Sequence, residues 1–407
     1  MPTATTPSID QVRSHFSSLD RGEVFMDNAG GSQVPGCVAD AVRDFMLSSY
    51  VQVGADYPAS KRATQTVADA HAMANTIMGG DGVGRTIFGS SSTSLCRMLS
   101  DCYSEALQPG DEIVVGESGH EANVGPWARL GSRGLNVKIW RANPETGVCE
   151  LSELQRLLTS RTKVVAFVQV SNILGQVEDF QACIDVAHEA GARVVLDGVA
   201  YAPHLPMDVA AWGVDWYVMS CYKVFGPHIG AMFGRHEAFA ELTGPNHYFL
   251  ANDYLPGKFE LGGANMESCA GLLGLQSYLS FLAGGEGFDR ETVLGAWRAM
   301  EELERPLTGR FLDFLNSKAK VRVVGSPEAD SGRVPTISFL HAGLSPKEIA
   351  DRAMDAGIGM RAGNFYSVRL LERMGIDPKS GVARTSFAHY NSMEEVDRLI
   401  AALDPVL

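Results

Sequence analysis

Long hydrophobic runs are missing from this sequence. Nowhere in its 407 residues does an uncharged apolar run approach the roughly 18 residues that cross a bilayer. The start of the chain, residues 1–8, also lacks the charged and then apolar layout of a signal peptide. We therefore expect no membrane association and a cytoplasmic location.

Paired cysteines are missing as well. The seven cysteines are odd in number and scattered, and no two of them form a C-x-x-C pair. This argues against a disulfide framework and against a zinc ribbon. His120-Glu121 does not continue into the H-E-x-x-H pattern of zinc hydrolases, so no metal site is predicted. The cysteines are Cys37, Cys96, Cys102, Cys149, Cys183, Cys221 and Cys269.

Positively charged residues are fewer than negatively charged ones. Lys and Arg number 34 against 48 Asp and Glu, which gives a formal net charge of -14. Such a surface repels nucleic-acid phosphates, so no nucleic-acid partner is predicted. The Gly-rich stretch 79–85 lacks the Gly-Lys-Ser/Thr ending of a nucleotide-binding P-loop and is interpreted as a turn.

What the chain does contain is alternating strand-like and helical patterns. Apolar runs predict strands, and amphipathic stretches between them predict helices. The predicted strands are 86–88, 112–115, 137–140, 164–170, 193–197, 216–220 and 230–234, and the predicted helices include 151–158, 180–190 and 207–213. This alternation predicts an α/β domain with a mainly parallel sheet whose loops carry the chemistry at one edge.

A Gly-rich break at residues 282–287 separates this pattern from a second one. It consists of a long helix over 291–317, strands at 321–324 and 336–339, and helices at 346–356 and 393–403. We predict a large domain over 23–284 and a smaller C-terminal α+β domain over 285–407. Residues 1–22 are predicted to pack with the small domain.

Lys223 lies directly after the predicted strand 216–220 and before a Gly-Pro turn. A lysine in such a buried place loses part of its affinity for a proton, so its amine is available to attack an aldehyde. Asp197 ends the predicted strand 193–197, at the edge where open α/β sheets place ligands. An anionic partner of this kind keeps the pyridine nitrogen of pyridoxal phosphate protonated. A solvated lysine and a helix N-cap are the alternatives for these two residues.

Three further strand ends carry polar residues. A run of hydroxyl residues at 90–94, with Ser92 and Thr93, precedes a helical pattern, where free backbone N-H groups hold an anion. A capping box or a plain serine-rich turn is the alternative. His120 follows one strand and could lie flat on an aromatic cofactor, and Asn172 follows another and could reach a phenolic oxygen. Either residue could instead be structural.

Taken in order, these segments resemble the cysteine-desulfurase-like branch of the class V aminotransferases, which are fold type I enzymes that use pyridoxal 5'-phosphate (PLP). The similarity runs from about Val24 to the C-terminus. It rests on seven short runs: FMDNAG from Phe25, ST from Ser92, HEAN from His120, SNILG from Ser171, DG from Asp197, SCYKVFGP from Ser220 and RTSFAHYN from Arg384.

The resemblance implies a role for each matching residue. Lys223 would be the Schiff-base lysine and proton shuttle, Asp197 the partner of the pyridine nitrogen, and His120 the ring-stacking group. Arg384 would bind the substrate carboxylate in a bidentate manner, for which a surface arginine is the alternative. The other implied contacts are Asn172 at the phenolate, Ser92, Thr93 and Ser220 at the phosphate, and Asn28, Ala29, Arg361 and Tyr366 at the substrate.

The chain also departs from the family pattern. Tyr366 stands where desulfurases carry the cysteine that accepts sulfur as a persulfide, and a phenol cannot form a persulfide. Tyr222 replaces the histidine before the lysine. Gly263 replaces the threonine that reaches the phosphate of the neighbouring subunit, so only a backbone contact is expected there.

The resemblance implies a seven-stranded, mainly parallel sheet, and a homodimer with active sites at the interface. It also implies an enzyme that converts an amino acid through an external aldimine and a Cα carbanion, while the departures predict no persulfide transfer. We expect a lyase that performs β-elimination of the C-S type, or an epimerase. A class V aminotransferase and an aldol-type C-C enzyme are the alternatives, and a catalytically retired scaffold is the alternative of another class.

Overall fold

A computed structural model describes residues 6–330 and 332–407. Strands and helices alternate through most of the chain. The strands are β1 (Val24–Phe25), β2 (Gly84–Gly89), β3 (Glu112–Gly116), β4 (Asn136–Trp140), β5 (Thr162–Val168), β6 (Arg193–Asp197), β7 (Trp216–Ser220), β8 (Gly230–Arg235), β9 (Val321–Val324), β10 (Thr336–His341), β11 (Ile358–Gly359), β12 (Arg361–Gly363) and β13 (Val382–Ser386).

The helices are of very different lengths, and α11 is the longest. They are α1 (Ile9–Arg13), α2 (Gly36–Ser48), α3 (Pro58–Met78), α4 (Ser92–Ala106), α5 (Glu121–Ala128), α6 (Leu151–Leu157), α7 (Phe180–Glu189), α8 (Val209–Trp212), α9 (His236–Ala240), α10 (Met266–Ala283), α11 (Arg290–Asn316), α12 (Pro346–Asp355), α13 (Val368–Arg373) and α14 (Met393–Leu403). In the described residues, no helix is both long and apolar enough to cross a membrane.

The large sheet has seven strands in the order β2-β8-β7-β6-β5-β3-β4. Strand β8 runs antiparallel to both of its neighbours, and the remaining pairings are parallel. This confirms the predicted α/β fold of the fold type I class with a mainly parallel seven-stranded sheet. Because the parallel strands point the same way, the segments that follow β3, β5, β6 and β7 all lie at one edge.

Both faces of the inner strands of this sheet are buried, which explains why these strands are mostly apolar. Successive side chains of a strand point to opposite faces. Accordingly, Val194 and Leu196 pack in the apolar cluster that includes residues of α3, α7 and α10. Val195 packs in the cluster on the other face, with residues of α4 and α5.

The C-terminal part contains a four-stranded antiparallel sheet in the order β12-β13-β10-β9, covered by α11, α12 and α14. Helix α11 contributes its first half to the large-sheet core and its second half to this core. The segment before β1 contacts both parts, since Arg13 forms an ion pair with Glu395 of α14 and His15 packs on Phe281 of α10. The domain boundaries given above stay a prediction.

Strand β13 has no counterpart in the sequence-based prediction. All five of its residues are buried, so its sequence shows no alternation of polar and apolar residues, and it contains the charged Arg384. Its pairing with β10 and β12 places it in the middle of the small sheet. Only this tertiary pairing identifies it as a strand.

Candidate active site

One cavity at the carboxyl edge of the large sheet collects the polar residues that follow its strands. It is lined by Ser92, Thr93, His120, Ala122, Val168, Val170, Asn172, Asp197, Val199, Ala200, Ser220, Tyr222 and Lys223. Seven of these are residues for which the sequence predicts a catalytic or cofactor-binding role. The parallel topology brings them together although up to 131 residues separate them along the chain, from Ser92 to Lys223.

Lys223 occupies the last position of a 3₁₀ turn, Cys221–Lys223, that directly follows β7. Burial lowers the pKa of its ammonium group to about 8. The nearby charge of Arg384 lowers the pKa further, and the carboxylates of Asp197 and Asp27 oppose the shift. A substantial fraction of this amine is therefore neutral in mildly alkaline solution, as a nucleophilic amine requires.

Asp197 ends β6 and is only 4% exposed. Burial raises the pKa of its carboxyl group to about 6, while the N-H of Val199 and the charge of Lys223 lower it. The N-H of Val199 donates to Oδ1 at 2.9 Å. The backbone after Asp197 is packed closely, because a Cβ on Gly198 would lie 1.9 Å from the hydroxyl oxygen of Tyr217. These contacts hold the carboxylate firmly at the cavity.

The first turn of α4 forms the hydroxyl-rich end of the cavity. Ser91 is the N-cap, and it forms a capping box with Ser94. The capping box that was the alternative for this segment is therefore present, but it uses residues on either side of Ser92 and Thr93. The Ser220 hydroxyl donates to that of Ser92 at 2.9 Å. Because the first N-H groups of a helix have no partner within it, this 15-residue helix offers an anion site beside these hydroxyls.

His120 is the N-cap of α5, and its Nδ1 accepts a hydrogen bond from the N-H of Ala122 at 3.0 Å. Burial lowers the pKa of His120 to about 4, and the charges of Lys223 and Arg384 act in the same direction. The imidazole is thus neutral at neutral pH. Since Nδ1 is an acceptor, the ring proton lies on Nε2.

Arg384 is buried in β13 with 2% exposure, which excludes the alternative of a surface arginine. Its Nη1 donates to the carbonyl oxygen of Asn172 at 3.2 Å, and its Nη2 donates to Oδ1 of Asp27 at 2.9 Å. The guanidinium carbon lies 3.7 Å from the ring centroid of Phe365, a cation-π contact. Arg384 therefore stands beside the cavity, joined to it through Asn172.

The segment 364–367 covers this region. Phe365 and Tyr366 both have left-handed backbone conformations, with φ of 48° and 60°. The side chain of Asn172 binds the segment twice, donating to the carbonyl of Phe365 at 2.9 Å and accepting from the hydroxyl of Ser367 at 2.9 Å. Tyr366 is 70% exposed, and its ring centroid lies 5.2 Å from that of His120. Strain of this kind persists where surrounding contacts hold it.

Asn28 and Ala29 contact other parts of the protein. The Asn28 amide donates to the carbonyls of Phe25 and Ser386 and to the side-chain oxygen of Asn391. The N-H of Ala29 donates to the Ser386 hydroxyl at 2.7 Å. The hydrogens of the Asn28 amide are thus used within the protein. A substrate contact of Asn28 and Ala29 stays a prediction.

Gly263 and Arg361 also lie away from the cavity lining. Gly263 is exposed in a groove that includes Ser90, Ser94 and His228. Arg361 is exposed and lies 3.4 Å from Oδ2 of Asp27. Gly263 is not among the residues that line the cavity with Lys223.

Comparison with known proteins assigns the family. The family model for aminotransferase class V matches residues 24–399. This chain belongs to the class V aminotransferases. Members of this family use PLP and are typically dimers that act on amino acids.

Two fungal relatives are similar to this class V aminotransferase over almost its whole length. The aminotransferase-like protein FGM3 of Gibberella zeae is 36% identical, with 98% of each chain covered. The cysteine desulfurase-like protein ustD of Aspergillus flavus is 30% identical, over 100% of this chain and 92% of the relative. The solved cysteine desulfurase CsdA of Escherichia coli superimposes with a TM-score of 0.83 at 26% identity, covering 98% of each chain. These findings confirm the cysteine-desulfurase-like branch.

No cysteine lines the cavity of this class V aminotransferase. Six of the seven are buried, and Cys37 is partly buried. Burial raises the pKa of four thiols, those of Cys102, Cys149, Cys183 and Cys221, to about 12. It also raises the pKa of the Cys96 and Cys269 thiols well above the usual value. A thiol with so high a pKa is not a nucleophile near neutral pH.

Sequence reasoning assigned no role to two residues of the site. Asp27 is the ion-pair partner of Arg384, and Phe365 supplies the ring on which its guanidinium lies. Both belong to runs that the family comparison already singled out, FMDNAG and the segment around Tyr366. Their proximity to Arg384 depends on the pairing of β13 and could not be read from either run.

Proposed function

We propose that this protein is a PLP-dependent lyase that removes a group from the Cβ atom of an amino acid, with a C-S bond as the preferred type. The observation that carries the proposal is the composition of one cavity. It combines a lysine of lowered pKa, a buried carboxylate and a helix N-terminus, and it contains no cysteine. Elimination uses the first three groups, whereas sulfur transfer to the protein needs a thiol.

The residues present fit PLP. The neutral amine of Lys223 would form the covalent link to the aldehyde, and Asp197 would hold a proton on the ring nitrogen. The phosphate would bind at the first turn of α4 with Ser92, Thr93 and Ser220, and the neutral ring of His120 would lie against the cofactor. When bound, PLP supplies the electron sink for charge that develops at Cα.

Arg384 would bind the substrate carboxylate. Its Nε is buried and has no hydrogen-bond partner among residues 6–330 and 332–407. A guanidinium presents Nε and Nη2 on one edge, which matches the two oxygens of a carboxylate. Fixing the carboxylate in this way favours cleavage of the Cα-H bond over decarboxylation, and Lys223 would take the Cα proton.

For cysteine as substrate, the balanced reaction is cysteine plus water to pyruvate, ammonia and hydrogen sulfide. The Cα-H and Cβ-S bonds break, and the electron pair of the latter leaves with sulfur. We expect purified enzyme with PLP to release sulfide, pyruvate and ammonia in equal amounts from cysteine or from a related amino acid with a leaving group on Cβ. Product analysis by mass spectrometry over a panel of such amino acids is the test.

Other outcomes of the same panel contradict the lyase. Inversion at Cα without any other change would establish an epimerase. Conversion of the amino acid to a keto acid with amination of PLP would establish an aminotransferase. A new carbon-carbon bond to an added aldehyde would establish an aldol-type enzyme. A colourless protein that does not bind PLP would establish the scaffold.

Sulfide release should also survive the loss of accessible thiols. Among the residues that the structure describes, Cys37 is the only cysteine that is not buried. We therefore expect the Cys37→Ala variant, treated with iodoacetamide, to release sulfide at the rate of untreated wild type. Mass spectrometry verifies which thiols are alkylated. A loss of activity that follows alkylation of one cysteine, or a trapped persulfide, would contradict the absence of sulfur transfer.

Attachment of PLP should depend on pH through Lys223. The neutral amine is the reactive form, so the attachment rate should rise with pH up to the pKa of about 8 and then level off. A lysine at the usual pKa would give a rate that still climbs above pH 10. Stopped-flow absorbance after mixing apoprotein with PLP measures the profile, and a continued rise beyond pH 9.5 would refute the proposed environment.

A homodimer completes the proposal. Two observations support it: members of the family are typically dimers, and large apolar side chains are exposed. Tyr248 is 96% exposed, Phe249 69% and Leu261 63%. In the dimer the backbone of Gly263 would approach the phosphate of the partner. Sedimentation velocity at micromolar concentration should give the mass of two chains, and a monomer would exclude this arrangement.

A further inference from the structure

Asp27 is an acidic side chain in the substrate region for which the proposed reaction has no use. It follows β1 and forms an isolated parallel bridge with Ser386, two residues after Arg384 on the chain. Its side chain is 22% exposed. Oδ1 lies 2.9 Å from Nη2 of Arg384, and Oδ2 lies 3.4 Å from Nη1 of Arg361. One carboxylate is thus shared by two guanidinium groups.

The contact with Arg384 lies beside the proposed binding edge for substrate. A carboxylate that binds the Nε and Nη2 edge in the bidentate way uses the N-H of Nε and one of the two N-H groups of Nη2. Among the described residues Nε has no hydrogen-bond partner, whereas Nη2 already donates to Asp27. A ligand carboxylate at this edge would therefore share Nη2 with the carboxylate of Asp27, and the two negative charges repel each other.

Arg361 is placed to receive the displaced carboxylate. Its side chain is 62% exposed, and its contact with Asp27 is longer than that of Arg384, so it has room to approach. Both arginines lie over the ring of Phe365, at 3.7 Å for Arg384 and 5.7 Å for Arg361. Because Oδ2 of Asp27 already contacts Arg361, Asp27 keeps this partner when its contact with Arg384 is lost.

The backbone next to Asp27 provides the space for its carboxylate. A Cβ on Gly30 would lie 2.9 Å from Oδ2 of Asp27, a distance that real Cβ atoms essentially never show. The absence of a side chain at Gly30 therefore lets the carboxylate lie between the two arginines.

We propose that Asp27 is a positioning residue that holds Arg384 while no substrate is bound and moves to Arg361 when a substrate carboxylate takes the Nε and Nη2 edge. The inference rests on the proposed role of Arg384. It deepens that role, because each ligand carboxylate competes with an internal one for Arg384. Amino acids with a free carboxylate are favoured over amides and esters, which cannot neutralise Arg384 when Asp27 leaves.

The test is the affinity of the PLP-loaded enzyme for propionate, a carboxylate without an amine that cannot react, measured by isothermal titration calorimetry. In Asp27→Asn the competing charge is gone, so propionate should bind about threefold to tenfold more tightly. In Arg361→Gln the displaced carboxylate has no second partner, so propionate should bind more weakly by a similar factor. Asp351→Asn, which removes an exposed carboxylate of α12 paired with Lys347, is the matched control and should bind like wild type.

The two variants have effects of opposite sign, and this separates the proposal from a structural role. Weaker or unchanged binding in Asp27→Asn would overturn it. Asp27→Ser, which also removes the charge and should also bind propionate more tightly, replaces this variant if Asp27→Asn does not fold. Propionamide should bind equally to all variants. Arg384→Lys tests the proposed role of Arg384. If this variant binds propionate like wild type, the role of Arg384 is wrong. If Arg384→Lys abolishes propionate binding but Asp27→Asn does not strengthen it, only the exchange of partners is wrong.

Discussion

The Lys223→Ala variant should lose the visible absorption band of covalently attached PLP and at least about 10³-fold in turnover. The reason is that Lys223 is the lysine in the cavity, and burial lowers its pKa to about 8. No other lining residue carries an amine that could form the link or take the Cα proton. An absorption spectrum after dialysis and a steady-state rate with the best amino acid of the panel measure both effects.

Two variants serve as controls for Lys223. Lys223→Arg keeps the positive charge but cannot form the link, so it should resemble Lys223→Ala. Lys138→Ala removes a lysine that pairs with Glu112 at 2.6 Å, and this variant should keep the absorption band. A Lys223→Ala protein that retains the band after dialysis would show that another lysine binds the cofactor.

Asp197→Asn is the second substitution with a large expected effect. An amide has nearly the same shape and can still accept the N-H of Val199, but it cannot stabilise a proton on the ring nitrogen. We expect the rate constant at saturating substrate to fall by roughly 10²- to 10⁴-fold, the range of a lost proton-transfer partner. PLP affinity should change much less, because the proposed phosphate contacts at α4 would remain.

The measurements for Asp197 separate binding from chemistry. Fluorescence titration of apoprotein with PLP gives the affinity, and initial rates at saturating PLP give the rate constant. Ser220→Ala is the complementary control, since it removes a hydroxyl at the phosphate end and should weaken PLP binding more than it slows the reaction. If Asp197→Asn keeps the wild-type rate constant, the proposed partner of the ring nitrogen is wrong.

The strands of the large sheet were predictable because their sequences carry a local signal. Strands β6 and β7 have the predicted bounds, and β3, β4 and β8 differ by one residue at one end. Apart from the edge strand β4, each is a short and mostly apolar run, as expected for strands covered on both faces. It was therefore predictable that the polar residues at the carboxyl ends of these strands lie near one another, although the distances between their side chains were not.

The substrate side of the site was less predictable, because it depends on contacts between distant segments. Strand β13 carries no alternation, and its pairing buries Arg384 and brings it to Asp27, 357 residues away in sequence. The same packing uses the hydrogen bonds of Asn28 within the protein. None of these partners can be identified from spacing or residue type.

By itself, the sequence determined the fold class, the family branch and the set of residues at the carboxyl edge of the large sheet. These follow from local periodicity and from short runs whose order is specific. Only the tertiary structure decided that Asp27 lies between Arg384 and Arg361, that Tyr366 lies exposed beside His120, and that no cysteine reaches the cavity. The physical reason is that burial, ion pairing and pKa depend on which distant segments pack together.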